Sequence, residues 1–395
     1  MSPQIPEKML AAQVVEFRKP YKIHEIPTPG KHLDENDMLV KVAVASLCHT
    51  DGMVSEGIMG TKLPCVASHE GAGTVVKVGS AIKDFKEGDR VLCSLTYHRC
   101  GECADCKGPE QDHQYCANAG GFLGVTIDGS FAEYEVVDGR ECCILPDNLS
   151  FQSAAPLAIL LSETCSRGFE MLDLKLYLTA LAILKCAGIT VWGGLIRAGL
   201  KSGETIALVG GGGGLGHLGI QFAKALGLKV VAIDARDEAL SLARECGADT
   251  VIDARPGKEN TVQEVKKVND GKLADATLNV SDYESAAATS AAVTKMHGVL
   301  VQIAQPTNVS VPFAELVFRD IRIRGSLISS RGECQKMLKV ASENKIRVKT
   351  NPFYGLKEIP KAVELAHSGK MQGKPVVIID SEAIQKERRS GLEMV

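Results

Sequence analysis

The spacing of apolar positions changes character about halfway along the chain. In roughly the first 150 residues, short apolar runs alternate with polar positions and are cut by glycines. Leu39–Ser46 (LVKVAVAS) mixes β-branched residues with alternation. Gly71–Val78, Arg90–Leu92 and Phe131–Val137 repeat the pattern, punctuated by Gly73, Gly79 and Gly88. Such runs predict an antiparallel barrel or sandwich-like unit. From residue 204 the grammar differs. Glu204–Val209 reads as a buried strand, followed by five glycines and a helix over Gly216–Leu226. A strand Lys229–Ile233 ends at Asp234, a helix spans Glu238–Cys246, and a strand covers Thr250–Ile252. Strand patterns recur at Ala274–Asn279, Gly298–Ile303 and Ile321–Leu327, and the helix Ile359–His367 and strand Pro375–Ile379 close the series. Strand–helix alternation of this kind predicts an α/β unit with a parallel, doubly wound sheet.

The chain of 395 residues is too long for one ordinary core, so two domains are expected. A formal net charge of −3 gives no general attraction to nucleic acid or to a membrane surface. No apolar run reaches the ~18 residues of a membrane span, and the start MSPQIPEKML lacks the apolar core of a signal peptide. A cytosolic location is therefore expected. Thirteen cysteines could mean disulfides, but four of them, Cys100, Cys103, Cys106 and Cys116, are too crowded for two relaxed bridges and read as a metal site in a reducing compartment.

Two motifs carry chemistry by pattern. Gly211-x-Gly213-x-x-Gly216 stands between a strand and a helix, and Asp234 follows about 20 residues later, as in a dinucleotide fingerprint. The first glycine permits the turn, the second lets the backbone approach a pyrophosphate, and the third allows close helix–strand packing. The helix start then offers unpaired N–H groups to phosphate. Asp234 should accept the adenosine ribose hydroxyls and repel a 2′-phosphate, favouring NAD(H) over NADP(H), with Arg236 softening that preference. The four-cysteine cluster offers four thiolates to one ion, which closes a tetrahedral structural zinc, with an iron–sulfur cluster as the competing occupant. His113 lies inside this lobe, and His217 follows the glycines as a helix-start residue. Cys48, His69 and Cys186 form a dispersed second set that spacing alone does not assemble.

Those residues carry a resemblance to the zinc-dependent medium-chain alcohol dehydrogenases, nearest the yeast-type class. It rests on Cys48-His49-Thr50-Asp51, His69-Glu70-Gly71-Ala72-Gly73, Val78-Gly79, Phe85-x-x-Gly88-Asp89, the four-cysteine lobe, Asp128-Gly129-Ser130-Phe131, Cys186-Ala187-Gly188-Ile189-Thr190-Val191 and the glycine motif, across nearly the full length. The resemblance implies a GroES-like β-rich catalytic domain over residues 1–185, a Rossmann domain over 186–325, and a segment 326–395 returning to the first. It implies hydride transfer between an alcohol or carbonyl compound and NAD(H), with two zinc ions per chain. Cys48, His69 and Cys186 would hold the catalytic ion. Thr50 would bond the substrate oxygen, and Glu70 and Asp51 would sit beside the ion, with Asp51 orienting a ligand histidine. His49 and Lys374 would face the cofactor phosphates and Thr190 its nicotinamide end. The implied partners are a small-molecule substrate and further copies of the chain, as a dimer or tetramer. Alternatives are a reductase of a bulky metabolite, NADPH-linked, and a catalytically impaired nucleotide-binding relative.

Departures from the pattern sharpen these expectations. Met53 stands where the yeast-type pattern has a proton-relaying histidine, and Ser68 stands where the family has glycine before the zinc histidine. The aromatics that narrow the yeast-type pocket are missing from Val54–Gly60, which implies a roomier pocket. Joining Ala158 to Cys186 restores the expected run, so Ile159–Lys185 reads as an insertion of 27 residues, either a lid or oligomer contact or translated non-coding sequence.

Overall fold

The computed structural model describes residues 5–116, 118–157, 187–368 and 370–392. The suspected insertion and Cys186 lie outside the described residues.

The β-rich part is organised around one long strand, Asp37–Ser46, buried at nine of its ten positions. It pairs antiparallel with Glu70–Val78, with Lys374–Ile378 and with Tyr134–Asp138. Cys143–Ile144 and Arg90–Leu92 extend the sheet on one side, and Thr350–Tyr354 extends it on the other, parallel to Lys374–Ile378. A smaller sheet of Lys22–Pro27, Lys8–Val14 and Cys65–Val66 packs beside it. The expected strand at Phe131 begins three residues later; Phe131 instead links the loop after Cys65–Val66 to the strand Lys8–Val14: its N–H bonds the Ala67 carbonyl and its own carbonyl accepts the Ala12 N–H.

The second part is a six-stranded sheet with every pairing parallel. Its spatial order is Thr250–Asp253, Lys229–Asp234, Thr205–Val209, Ala274–Asn279, Thr294–Gln302, Arg322–Gly325. In chain order this is 3-2-1-4-5-6, the doubly wound arrangement whose strand order reverses beside Thr205–Val209. All five residues of that strand are buried, as expected of a strand covered on both faces. The helices Ala187–Ala198 and Gly216–Ala225 cover it, joined by Trp192 edge-on to Phe222. Four further helices, Asp237–Glu245, Lys258–Val268, Ala286–Val293 and Arg331–Glu343, pack in these layers. Among the described residues no helix is long and apolar enough to cross a membrane.

Candidate functional site

Three neighbouring strands deliver the site. In the register of the β-rich sheet, Ser46 faces Glu70 on one side and Val376 on the other, and the Leu47 N–H bonds the Pro375 carbonyl. Cys48, His69, Glu70 and Lys374 therefore meet at one end of the sheet although they are scattered over more than 300 positions. After Cys48 the chain turns into the short helix His49–Ser55. Asp51 in its first turn accepts the Cys48 N–H at 2.7 Å and the Ser68 N–H at 2.9 Å, and so ties the two loops together. Ser68 adopts φ of 67°, a left-handed conformation that explains why glycine is expected there; its hydroxyl donates to the Ser46 carbonyl at 3.0 Å.

The donor atoms of Cys48, His69 and Glu70 lie within 4.8 Å of one another, all buried. Both ring nitrogens of His69 are buried without a hydrogen-bond partner among the described residues. An imidazole so placed, beside a thiol, fits a metal ligand better than a core residue. Thr50 is also buried, its hydroxyl 3.7 Å from the Cys48 sulfur. Asp51 Oδ1 lies 3.7 Å from His69 Nδ1, beyond hydrogen-bond reach. Asp51 thus faces the ring at ion-pair distance and holds the backbone of both loops by hydrogen bonds. Burial raises its carboxyl to about 6, against the pull of His69. For His69, burial works downward but is outweighed by Asp51 and Cys48, and the ring is raised to about 9. Burial raises Glu70 to about 7, against the opposing Lys374 charge.

Lys374 departs from expectation in one respect. Its ammonium lies 3.1 and 3.0 Å from the two Glu70 oxygens, inside the protein, so its charge faces the cluster of Cys48, His69 and Glu70 as well as the cleft.

At the glycine loop, space separates structural glycines from the rest. A Cβ on Gly216 would come 2.3 Å from the Gly210 carbonyl oxygen, and one on Gly211 2.9 Å from the Ala232 side chain. A Cβ on Gly213 would find nothing nearer than the Gly210 oxygen at 3.4 Å and Arg236 at 3.8 Å. The protein does not require glycine at 213, whereas close approach of a ligand would. Asp234 ends the second strand, and its carboxylate accepts the N–H groups of Gly212 (3.1 Å) and Ala235 (2.9 Å). Thr190, on the helix Ala187–Ala198, is buried with its hydroxyl unpartnered among the described residues.

A cleft of about 770 Å³ joins the two parts: Cys48, His49 and Met53 line one wall, Gly214 and Leu215 the other, with Lys374 between. Pattern reading had not marked Tyr21, Pro360, Val363 or Met371, which also line it. They carry no motif and reach the cleft only through packing.

The four lobe cysteines also converge, with all donor sulfurs within 4.8 Å. Sulfur separations of 3.5 Å (Cys116 to Cys100) and 4.0 Å (Cys100 to Cys106) exclude disulfides, whose bond is about 2.05 Å. The Cys100 sulfur accepts the N–H groups of Glu102 and Cys103, which, against burial, lower its thiol to about 6. A thiolate stabilised by backbone donors is ready for a cation. A third cluster, Asp34, Asp37 and His98, is already satisfied internally: Asp37 binds the Tyr97 hydroxyl at 2.6 Å and His98 Nε2 at 2.7 Å.

Comparison with known proteins agrees with this geometry. Residues 34–147 match the family model for the alcohol dehydrogenase GroES-like domain, and residues 214–343 match that for zinc-binding dehydrogenases. The chain is similar to an alcohol dehydrogenase of Geobacillus stearothermophilus, 33% identical over 380 residues, which span 94% of this chain and all of that one. It is similar to alcohol dehydrogenase 1 of Emericella nidulans, 31% identical over 363 residues, covering 90% of this chain and 93% of that one. Among solved structures it resembles the alcohol dehydrogenase of Aeropyrum pernix, with a TM-score of 0.76 and 27% identity over 93% of this chain and 99% of that one.

Proposed function

Because the chain belongs to the zinc-dependent medium-chain alcohol dehydrogenase family, an oxidoreductase family interconverting alcohols and carbonyl compounds, we propose that its chemistry runs at the cluster of Cys48, His69 and Glu70 with NAD(H) laid in the adjoining cleft. The observation that carries this reading is the buried His69 ring beside the Cys48 sulfur, with both ring nitrogens lacking hydrogen-bond partners among the described residues. Cys48 and His69, with Cys186 as the third ligand, would hold a zinc ion. Bound there, zinc supplies Lewis acidity that lowers the pKa of an alcohol oxygen or polarises a carbonyl.

The protein's own groups do the rest. Thr50 would hydrogen-bond the substrate hydroxyl and, as it accepts that proton, give up its own. Met53 has no titratable atom, so water in the cleft would take the released proton. Asp51 keeps the loops of Cys48 and His69 at fixed separation. Glu70, paired with Lys374, keeps a carboxylate beside the ion without leaving it unpaired. His49 and Lys374 neutralise the cofactor phosphates over Gly211, Gly213 and Gly216, while Thr190 bonds the nicotinamide end.

We assign NAD(H) over NADP(H) because the Asp234 carboxylate occupies the end of the second strand and repels a 2′-phosphate. Arg236, whose Nε is 3.8 Å from that carboxylate, is the opposing feature. A second zinc in the lobe follows from its four converging sulfurs. All eleven described cysteines are free thiols, which suits a cytosolic home. The last strand of the parallel sheet, Arg322–Gly325, is exposed at all four positions beside exposed Phe313, Val317 and Phe318, an edge that a second copy would cover. A panel of alcohols and carbonyls with each nicotinamide cofactor, run beside metal analysis, tests these assignments. Two zinc ions and turnover with NAD(H) support them; no turnover with any pair overturns them.

A further inference from the structure

The glycine loop and the metal cluster belong to different sheets, and one buried histidine bridges them. His217, in the first turn of the helix Gly216–Ala225, has no exposed surface. Its Nδ1 lies 3.1 Å from the Gly213 carbonyl oxygen, and its Nε2 lies 3.3 Å from the Lys349 backbone nitrogen. A carbonyl can only accept and a backbone N–H can only donate. The two partners therefore fix one neutral tautomer, with the proton on Nδ1.

The bridge continues. The Lys349 carbonyl accepts the Lys374 N–H at 2.8 Å, in the register where Thr350 faces Lys374. Gly373 makes this approach possible: it sits at φ of 73°, and a Cβ there would lie 1.9 Å from the Lys349 oxygen. The Lys374 ammonium then meets Glu70 beside Cys48 and His69. One turn along the helix, on the same face, Gln221 exchanges two bonds with the backbone of Arg347, at 2.8 and 2.9 Å. The helix thus grips residues 347–349 at two points, but only the His217 grip includes the glycine loop itself.

We propose that His217 is a positioning residue that sets the glycine loop in register with Lys374, so that the loop amides and the lysine meet the same cofactor phosphates. The proposal rests on the reading of the loop as the cofactor site. Its signature is selective. Losing His217 should weaken ligands that carry the pyrophosphate and spare those held only at Asp234.

The test compares His217→Leu, His217→Asn and Gln221→Leu with the wild-type holoenzyme, titrated with ADP-ribose, NADH and adenosine. His217→Leu removes both bonds and should raise the Kd of ADP-ribose and NADH about tenfold, while the adenosine Kd stays within about twofold. The KM for the cofactor should rise in parallel, with kcat at saturation changed less than about twofold. His217→Asn keeps a donor for Gly213 and should recover part of the loss; it also carries the test if the leucine variant folds poorly. Gln221→Leu should lower Tm without changing ADP-ribose affinity. Unchanged ADP-ribose binding in both His217 variants overturns the proposal, and so does an equal loss for adenosine and ADP-ribose. Failure of the wild type to bind ADP-ribose at all overturns the cofactor-site reading itself, and the positioning role with it.

Discussion

Replacing Gly213 by alanine should separate fold from function at the glycine loop. Gly213 is not among the glycines with left-handed φ, so alanine can adopt its backbone conformation. The added methyl would meet protein only at 3.4 Å (the Gly210 oxygen) and 3.8 Å (Arg236), both ordinary contacts. No methyl is forced into packed atoms, and alanine loses less backbone entropy on folding. Stability should therefore hold steady or rise by about 0.5–1 kcal/mol. The same methyl projects where a pyrophosphate must approach the backbone, so NADH affinity should fall about tenfold or more, on the order of 1.4 kcal/mol. Gly212→Ala is the contrasting control. Its Cβ would lie 1.8 Å from the Ala239 oxygen and 2.2 Å from the carbonyl carbon, both backbone atoms that cannot swing aside. Forcing them apart should cost about 1–3 kcal/mol or more. Urea unfolding measures the stability arm and NADH fluorescence titration the binding arm. A Gly213→Ala protein that binds NADH within twofold of wild type would refute the assignment, as would one that unfolds as readily as Gly212→Ala.

Further outcomes are expected elsewhere. His217 is held neutral in the fold: burial, aided by the Lys374 charge, lowers it from 6.5 to about 4. Between those values the unfolded chain binds the extra proton, so this contribution is full above pH 6.5 and is lost as pH drops, by about 3 kcal/mol at pH 4; over that range denaturation curves should show the wild type losing about 3 kcal/mol more stability than His217→Asn. Cys103→Ser should release one zinc per chain, measured by metal analysis, and lower stability on the order of 4 kcal/mol, because the lobe loses the ion that closes it. Cys48→Ala should release the other zinc and reduce kcat/KM by at least about 10³-fold while leaving the lobe ion in place. Phe318→Asp, at a side chain 72% exposed, should shift the sedimentation coefficient toward the monomer while Tm at the monomer's own concentration changes little.

Much of this protein was written in local patterns. The strand Thr205–Val209, the glycines after it, the helix Gly216–Ala225 and Asp234 are near in sequence, and hydrophobic periodicity places each within a residue or two. The lobe cysteines are readable for the same reason, since 17 positions hold all four. The helix Ala286–Val293 escaped notice because its alanines, serine and threonine are buried nearly all round and show no apolar stripe.

The cluster of Cys48, His69 and Glu70 is different in kind. Nothing local ties Cys48 to His69, and only the resemblance to a known family grouped them. The tertiary structure joins them through the pairing of Ser46 with Glu70 and through one Asp51 carboxylate shared by two loops. Lys374 reaches Glu70, and His217 reaches Lys349, for the same physical reason: strand register and helix packing over separations of more than 100 residues fix which polar groups face each other. Sequence periodicity says which face of an element is buried. Only the packed chain decides what that face meets.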